Sequence, residues 1–434
     1  MSTIPQVAEA MQKVLTVDAD WLGRESGFIQ RVRKLTGSSF IQTLVFGFLA
    51  KPAAGYGKLS ESAATIGVPI SAQGLEQRFT QTAAEFVRKV LARAVEQVIA
   101  SQPAAIPILE RFAGVYLRDS TIINLPGELV ETWSGAGNSQ GQTAALKLQV
   151  QLNFSTGQLE GPVLQNGRAQ DQTSPFQQQV LPAGALHIAD LGYFNLTRLA
   201  DDHRRGVYWI TRLKAGTAIY TVAGERLDLV AWLKAQGEAP IDQPVQVGAQ
   251  ERLPCRLLVV RVPQEVAEQR RRRLREYARK KQVTPKAETL ALTEWTIAIT
   301  NVPLDQVSLS EALILMRVRW QIELLFKLWK SQAQVDEWRS QNPWRILCEL
   351  YAKLIGVVIS HWVYLTGLWQ RADRSLFKAA GVVQSYAMAL ALALPNQADL
   401  IRVLARLQSC LMATCRIDRR AKHPSTCQLL LDEP

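Results

Sequence analysis

The spacing of apolar positions changes twice along this chain. From the start to about residue 110 they recur at helical intervals, which predicts helices near 26–49, 59–66, 71–80 and 82–101. From about 111 the pattern shortens to the two-residue period of strands. Strands are expected at 114–119 (GVYLRD), 145–154 (ALKLQVQLNF) and 159–165, the last two joined by Ser155-Thr156-Gly157 as a hairpin. A helix at 174–180, a strand at 185–190 (ALHIAD), a helix at 195–202 and a strand at 207–213 (VYWITRL) follow. This order predicts an α/β fold in which helices pack on a mixed sheet, with Asp119 and Asp190 closing their strands. Residues 217–304 break the rhythm with short alternating strands, among them 219–222, 255–262 and 294–300, and read as a β-rich insertion. The expected organisation is a helical N-terminal region (1–110), a first part of the sheet domain (111–216), the insertion (217–304), a long helix (305–335) and a helical C-terminal region (336–434).

The long helix reads SLSEALILMRVRWQIELLFKLWKSQAQ over 308–334. Ser308 followed three residues later by Glu311 is a capping box, and nothing after it breaks a helix. Leu315, Ile322, Phe326 and Trp329 form its buried stripe. Arg319, Glu323 and Lys330, four and then seven residues apart, fall on a neighbouring face, so one acid is flanked by two cations. A solvated salt-bridge ladder would show the same spacing.

Composition narrows the partners. Fifty Lys and Arg against 38 Asp and Glu give a formal charge of +12, which favours a polyanion, nucleic acid before an acidic membrane surface. The first residues, MSTIPQVAEAMQKV, show no basic segment before an apolar run, so no secretory signal is expected. The most apolar run, 354–369, is 16 residues long, short of the roughly 20 that cross a bilayer, and is expected to be a buried helix. Five cysteines at irregular spacing fit reduced thiols in a cytoplasm. The order Cys410, Cys415, His423, Cys427 matches no common zinc spacing.

Two stretches suit DNA directly. Residues 60–66, the turn Gly67-Val68-Pro69-Ile70 and a helix capped by Ser71 have the layout of a helix-turn-helix, with Gln73, Gln77 and Arg78 on its outer side; a plain helical hairpin has the same layout. Residues 269–281 (QRRRRLREYARKK) carry eight basic side chains against Glu276 alone, and Arg271, Arg272 and Arg273 are candidate phosphate contacts unless the run is a solvated arm.

Asp119, Asp190 and Glu323 are the candidate catalytic and metal-binding acids. Oxygen-only ligands suit Mg2+ or Mn2+, and two such ions can activate an attacking oxygen and stabilise a leaving one in phosphodiester chemistry. Asp119 in D-S-T, Asp190 in A-D-x-G-Y-F and Glu323 in R-W-x-I-E-x-x-F-K-x-W-K resemble the DDE transposases of bacterial insertion sequences, specifically the large family with a Tyr, Arg, Glu, Lys signature. Arg319, Glu323 and Lys330 meet that spacing; three residues before the arginine, where the family has tyrosine, this chain has Met316. The resemblance covers roughly 111–335. It implies an RNase H-like catalytic core with a β-rich insertion, and cut-and-paste transposition with two Mg2+ ions, Mn2+ as substitute. It implies phosphate contacts from Arg319 and Lys330, and a base flipped from the transposon end onto Trp295, 28 residues before the glutamate. Double-stranded DNA (terminal inverted repeats and target), a homodimer in the synaptic complex, and a cytoplasmic, nucleoid-associated protein without a membrane are the corresponding expectations. A degenerate copy that binds the ends as a repressor without cutting is the alternative, supported by Met316. A two-carboxylate glycosidase is disfavoured by the basic charge and the cations beside Glu323.

Overall fold

A computed structural model describes residues 3–31, 35–137, 141–417 and 424–432. The chain divides into two compact units, one comprising Met1–Ile106, Asp119–Ala169 and Trp320–Asp432, the other Pro107–Arg118 and Gln170–Arg319.

The first unit is built around the helix Pro343–Leu365. Asn342 caps it by accepting from the amides of Trp344 and Arg345, Pro343 opens it where a missing N–H costs nothing, and every residue from Arg345 to Leu365 is buried. Its neighbours include Gly37–Ala50, opened by a capping box from Thr36, and the amphipathic Gln81–Val95. The helices Leu376–Ala393 and Gln397–Thr414 belong to the same unit. Strands β2 (Ala144–Asn153) and β3 (Leu159–Asn166) form an antiparallel hairpin within it, and all ten residues of β2 are buried. The hairpin turns at Gly157, at φ 73°, where a side chain would collide with Leu365 and Trp369. His361 donates through Nε2 to the Gly157 carbonyl at 2.6 Å, which ties the turn to the central helix.

In the second unit the first residues of β1 (Val115–Leu125) pair in parallel with β4 (Leu186–Ala189), and β4 pairs in parallel with β5 (Tyr208–Arg212). From β5 the sheet continues antiparallel through β9 (Trp295–Thr300), β8 (Leu253–Arg261), β7 (Ile241–Val247) and β6 (Ile219–Tyr220). The strands within 217–304 therefore extend the same sheet, because β9 returns beside β5. Trp209, Ile219, Leu233, Val247, Leu257 and Ile299 join in one apolar cluster.

The mixed α/β character and the helical regions are as expected, while several elements differ in detail. The N-terminal helix Thr3–Gln12 runs through a π-helical stretch, Lys13–Asp18, into Ala19–Glu25, a segment the periodicity did not mark. The expected helix at 174–180 is only a 3-10 turn, Pro175–Gln177. Asp119 does not close β1, which continues through the β-branched Thr121, Ile122 and Ile123 to Leu125. Asp190 does follow the last residue of β4 directly. The long helix is two: Leu309–Val318, with the Ser308–Glu311 capping box in place, and Trp320–Ser331, meeting at Arg319. The basic run is no arm but the C-terminal part of a helix, Gln264–Lys280. Two helices, Pro343–Leu365 and Leu376–Ala393, are long and apolar enough to cross a membrane by length and composition; the apolar window of the first is entirely buried in the fold, and a third of the second.

Candidate active site

Glu323 lies in the first turn of Trp320–Ser331, and Lys330 two turns later on the same side. Ile322, Leu325, Phe326, Leu328 and Trp329 are buried, which leaves Glu323 and Lys330 half-buried at the edge of the apolar face. Lys330 Nζ donates to the Ile122 carbonyl of β1 at 3.1 Å. Asp119 is three residues earlier on that strand, half-buried, its carboxylate accepting from the Ser120 amide at 2.8 Å.

In the other unit Asp190 leaves β4 and precedes the turn Leu191–Tyr193, with its carbonyl accepting from the Tyr193 amide. Its carboxylate is about half exposed, and Arg319 Nη1 approaches it to 3.9 Å. The turn after it also meets Asp171. A side chain at Gly192 would stand 2.6 Å from the Asp171 carboxylate, which would have to shift to admit it. Asp171 was not singled out from the sequence, where a loop aspartate in AQDQT carries no signal.

Trp295 opens β9 and is 7% exposed, buried in the cluster with Leu229, Leu233 and Val259. Its carbonyl accepts from Arg270 Nη1 at 2.9 Å, and Arg270 also donates to Thr296 Oγ1. A cavity of about 1140 Å³ opens beside it, lined by Arg212, Lys214, Arg226, Lys234 and Arg270 among others. Burial, and then the nearby Arg212, push the Arg270 guanidinium below its ordinary value. On the same basic helix Arg271 is paired with Glu294 at 2.7 Å, whereas Arg272 and Arg273 are exposed. In the N-terminal helices Gln73, Gln77 and Arg78 are exposed around the buried Leu75 and Phe79, and Ser71 caps a helix, Ala72–Glu76, of little more than one turn. Of the C-terminal cysteines, Cys410 lies 3.2 Å from the Tyr386 hydroxyl, and His423 lies outside the described residues.

Residues 110–359 match the family model described as the transposase DDE domain. The chain belongs to this DDE transposase family. It is similar to the transposase for insertion sequence element IS231F of Bacillus thuringiensis subsp. israelensis, 27% identical over 92% of this chain and 89% of the relative. It is similar also to that of IS231C of Bacillus thuringiensis subsp. berliner, 28% identical over 92% of this chain and 89% of the relative. The transposase for IS1151 of Clostridium perfringens is 25% identical over 80% of this chain and 77% of its own length.

For a DDE transposase the donor chemistry of Asp119, Asp190 and Glu323 fits Mg2+ or Mn2+, since all three offer hard carboxylate oxygens. Their placement is a separate matter: among the described residues no three His, Cys, Asp or Glu side chains are gathered closely enough to hold a metal ion. An exposed aromatic does stand beside Glu323. Trp320 is 48% exposed, with Lys327 Nζ 5.2 Å from its ring centre and the exposed Leu324 one turn on. Trp295, to which the resemblance gives the stacking role, is buried, and Trp320 is the exposed one of the two.

Proposed function

We propose that this transposase excises and reinserts an insertion sequence by cut-and-paste, with an RNase H-like core in which Asp119, Asp190 and Glu323 act together. The observation that carries this reading is the pair of contacts made by the cations flanking Glu323. Arg319 reaches the carboxylate of Asp190, and Lys330 reaches the backbone of the strand that holds Asp119. Lys330 lies seven residues after Glu323, about 10.5 Å along a helix, and Ile122 lies three after Asp119, about 10 Å along a strand. A helix running parallel to β1 from that contact would set Glu323 level with Asp119.

Two divalent ions would require the three carboxylates to be brought together, and would then supply an activated attacking oxygen and charge stabilisation at the leaving oxygen. Arg319 and Lys330 hold the phosphates on either side of the reacting one, and orientation of that phosphate is their contribution to the rate. A water oxygen attacks phosphorus, the bond from phosphorus to the 3'-oxygen breaks, and the freed oxygen takes a proton to become the 3'-hydroxyl. That hydroxyl then attacks phosphorus in the opposite strand, closing a hairpin as the flanking strand's 3'-oxygen leaves and takes a proton, and a second water reopens the hairpin to free the 3'-hydroxyl that joins target DNA. A hairpin bends the duplex against its stacking, so a base has to leave the stack and be held. The basic helix Gln264–Lys280 grips phosphates without regard to sequence, and Gln73, Gln77 and Arg78 read the terminal repeats. The working assembly is a homodimer on two ends, acting in the bacterial cytoplasm at the nucleoid.

A second reading, an end-binding repressor that does not cut, is favoured by Met316 alone, since a thioether cannot donate to a phosphate as a tyrosine hydroxyl does. One experiment separates the two. The protein is incubated with duplexes carrying its own element's ends and Mg2+. Nicked and then hairpinned DNA supports the transposase reading, and bound but intact DNA over a range of Mg2+ and Mn2+ overturns it.

A further inference from the structure

We propose that Lys353 is a positioning residue for the helix that carries Glu323, acting as one end of a buried charge ladder whose other end lies among the N-terminal helices. This rests on the reading that Glu323 is catalytic. Arg345, Glu349 and Lys353 are spaced one turn apart on Pro343–Leu365 and are 3%, 2% and 3% exposed. Glu349 holds both cations, Arg345 Nη1 at 3.2 Å and Lys353 Nζ at 2.8 Å. Burial lowers the Lys353 ammonium below its ordinary value, and Glu349 opposes the shift. A helix buried on every side needs no charges to fold, and apolar residues of similar volume would serve its stability at least as well. What the ladder supplies is a set of fixed directions.

At its near end Lys353 Nζ donates to the carbonyls of Gln334 at 3.0 Å and Glu337 at 2.8 Å, in the turn that follows Trp320–Ser331. Gln334 sits at φ 48°, a left-handed conformation that a side-chain-bearing residue adopts only when its surroundings hold it there. Apolar packing alone leaves the preceding helix some freedom. A cavity of about 40 Å³ lies between its inner face (Leu325, Leu328, Trp329) and the residues Phe48, Lys353 and Gly356, enough for a water or two. The polar clamp at the turn therefore decides where the helix rests.

At the far end the Arg345 guanidinium stands 4.9 Å from the ring of Phe48, 5.2 Å from Tyr56 and 4.6 Å from Phe79, and it donates to the Ala54 carbonyl. Phe79 follows Arg78 directly, in the segment that holds Gln73 and Gln77. DNA pressing on 73–78 would move Phe79, and the displacement would be passed through Arg345, Glu349 and Lys353 to the turn at 334–337. Binding of the ends by the N-terminal helices thereby sets the helix bearing Glu323.

The test uses the full chain with Arg345→Met, Glu349→Leu and Lys353→Met together, which removes the ladder and leaves no buried charge behind. Melting temperature, affinity for end duplexes, single-turnover nicking, and amide exchange over 332–337 with and without end DNA are measured. The expected result is near-normal melting and binding and nicking slowed roughly 10- to 100-fold, the scale of a small misplacement of a reacting group. Exchange over 332–337 should be faster and should no longer respond to DNA. A folded variant that nicks at the wild-type rate, or whose 332–337 segment still responds to DNA as in the wild type, overturns the proposal. Should the triple variant not fold, Glu349→Gln with Lys353→Met leaves Arg345 among its aromatic neighbours and is judged by the same readouts. If the wild-type protein itself cuts nothing, the transposase reading fails, while the exchange response of 332–337 to end DNA still decides whether the ladder couples the two regions.

Discussion

Trp295→Ala sets a core role for this tryptophan against a DNA-holding one. The indole is 7% exposed and belongs to the apolar cluster of Leu229, Leu233, Val259 and Ile299, so truncation removes a large buried side chain. Large aromatic deletions in such surroundings cost about 3–5 kcal/mol, against a net stability of about 5–15 kcal/mol for a domain. For a unit of this size the melting temperature should fall by roughly 6–20 °C. Trp320→Ala is the matched control on the exposed side. At 48% exposure its removal should change stability by no more than about 0.5 kcal/mol, while the loss of a stacked base costs about 1–3 kcal/mol of DNA contact. The assay pairs thermal melts with time courses of nicking and hairpin formation on an end duplex. Trp295→Ala should lose nicking and hairpin formation together, in proportion to the unfolded fraction. Trp320→Ala should melt like the wild type, nick normally and accumulate nicked DNA, with an abasic site at the flipped position restoring part of the hairpin yield. A Trp295→Ala protein that melts normally and is the variant that stalls at the nick would refute the core role, because its indole would then leave the core to hold the base.

Three further outcomes are expected. Asp119→Ala, Asp190→Ala and Glu323→Ala should each abolish cutting with end affinity nearly intact in a gel-shift assay; wild-type-like cutting by one of them removes that residue from the site. Replacing Arg271, Arg272 and Arg273 by Gln should weaken binding to all DNA and flatten the salt dependence by roughly two to three phosphate contacts, Arg271 giving least because Glu294 already holds it; an unchanged salt slope rules the helix out as a phosphate contact. Burial lowers the His361 imidazole to about 4 from an ordinary 6.5. Its neutral state therefore favours folding above pH 6.5, and that contribution is lost as pH falls towards 4. Roughly 2 kcal/mol should be gone by pH 5, and a His361→Gln protein should show a flatter melting profile between pH 7 and 5.

What could be read from the residues was local chemistry and the burial that follows from periodicity, and what could not was burial imposed by distant segments. Ser308 and Glu311 announce a helix start by themselves, and Leu315, Ile322, Phe326 and Trp329 lie on its inner face as their spacing requires. The interruption at Arg319 has no local signal: no Gly or Pro is near it, and its own backbone stays helical at φ −50° and ψ −35°. Strand β7 was missed because IDQPVQV, with Pro244 inside it, reads as a polar turn until β8 supplies its partner. The Arg345, Glu349, Lys353 series has the spacing of a solvated surface ladder and is buried instead. Asp119, Asp190 and Glu323 were nameable from their motifs, since a motif records residue identity. Asp171 beside Gly192 and the exposed face of Trp320 were not, since both depend on segments distant in sequence.

The contacts of the two cations beside Glu323 bear on why they are there at all. Arg319 stands 3.9 Å from Asp190, beyond hydrogen-bond length, and Lys330 is hydrogen-bonded to a neutral carbonyl of Ile122. The ladder cation Lys353 differs: it is 3% exposed and held by a carboxylate at 2.8 Å and two carbonyls. A phosphate carries a full negative charge, so it can offer Lys330 more than the Ile122 carbonyl does. Exchange of the Lys330 contact for phosphate frees only a backbone carbonyl, whereas exchange at Lys353 would leave the buried Glu349 carboxylate without that partner. On the proposed reading, two lysines of identical formal charge divide by their partners, Lys353 fixing the turn after the helix that bears Glu323 and Lys330 meeting DNA beside it.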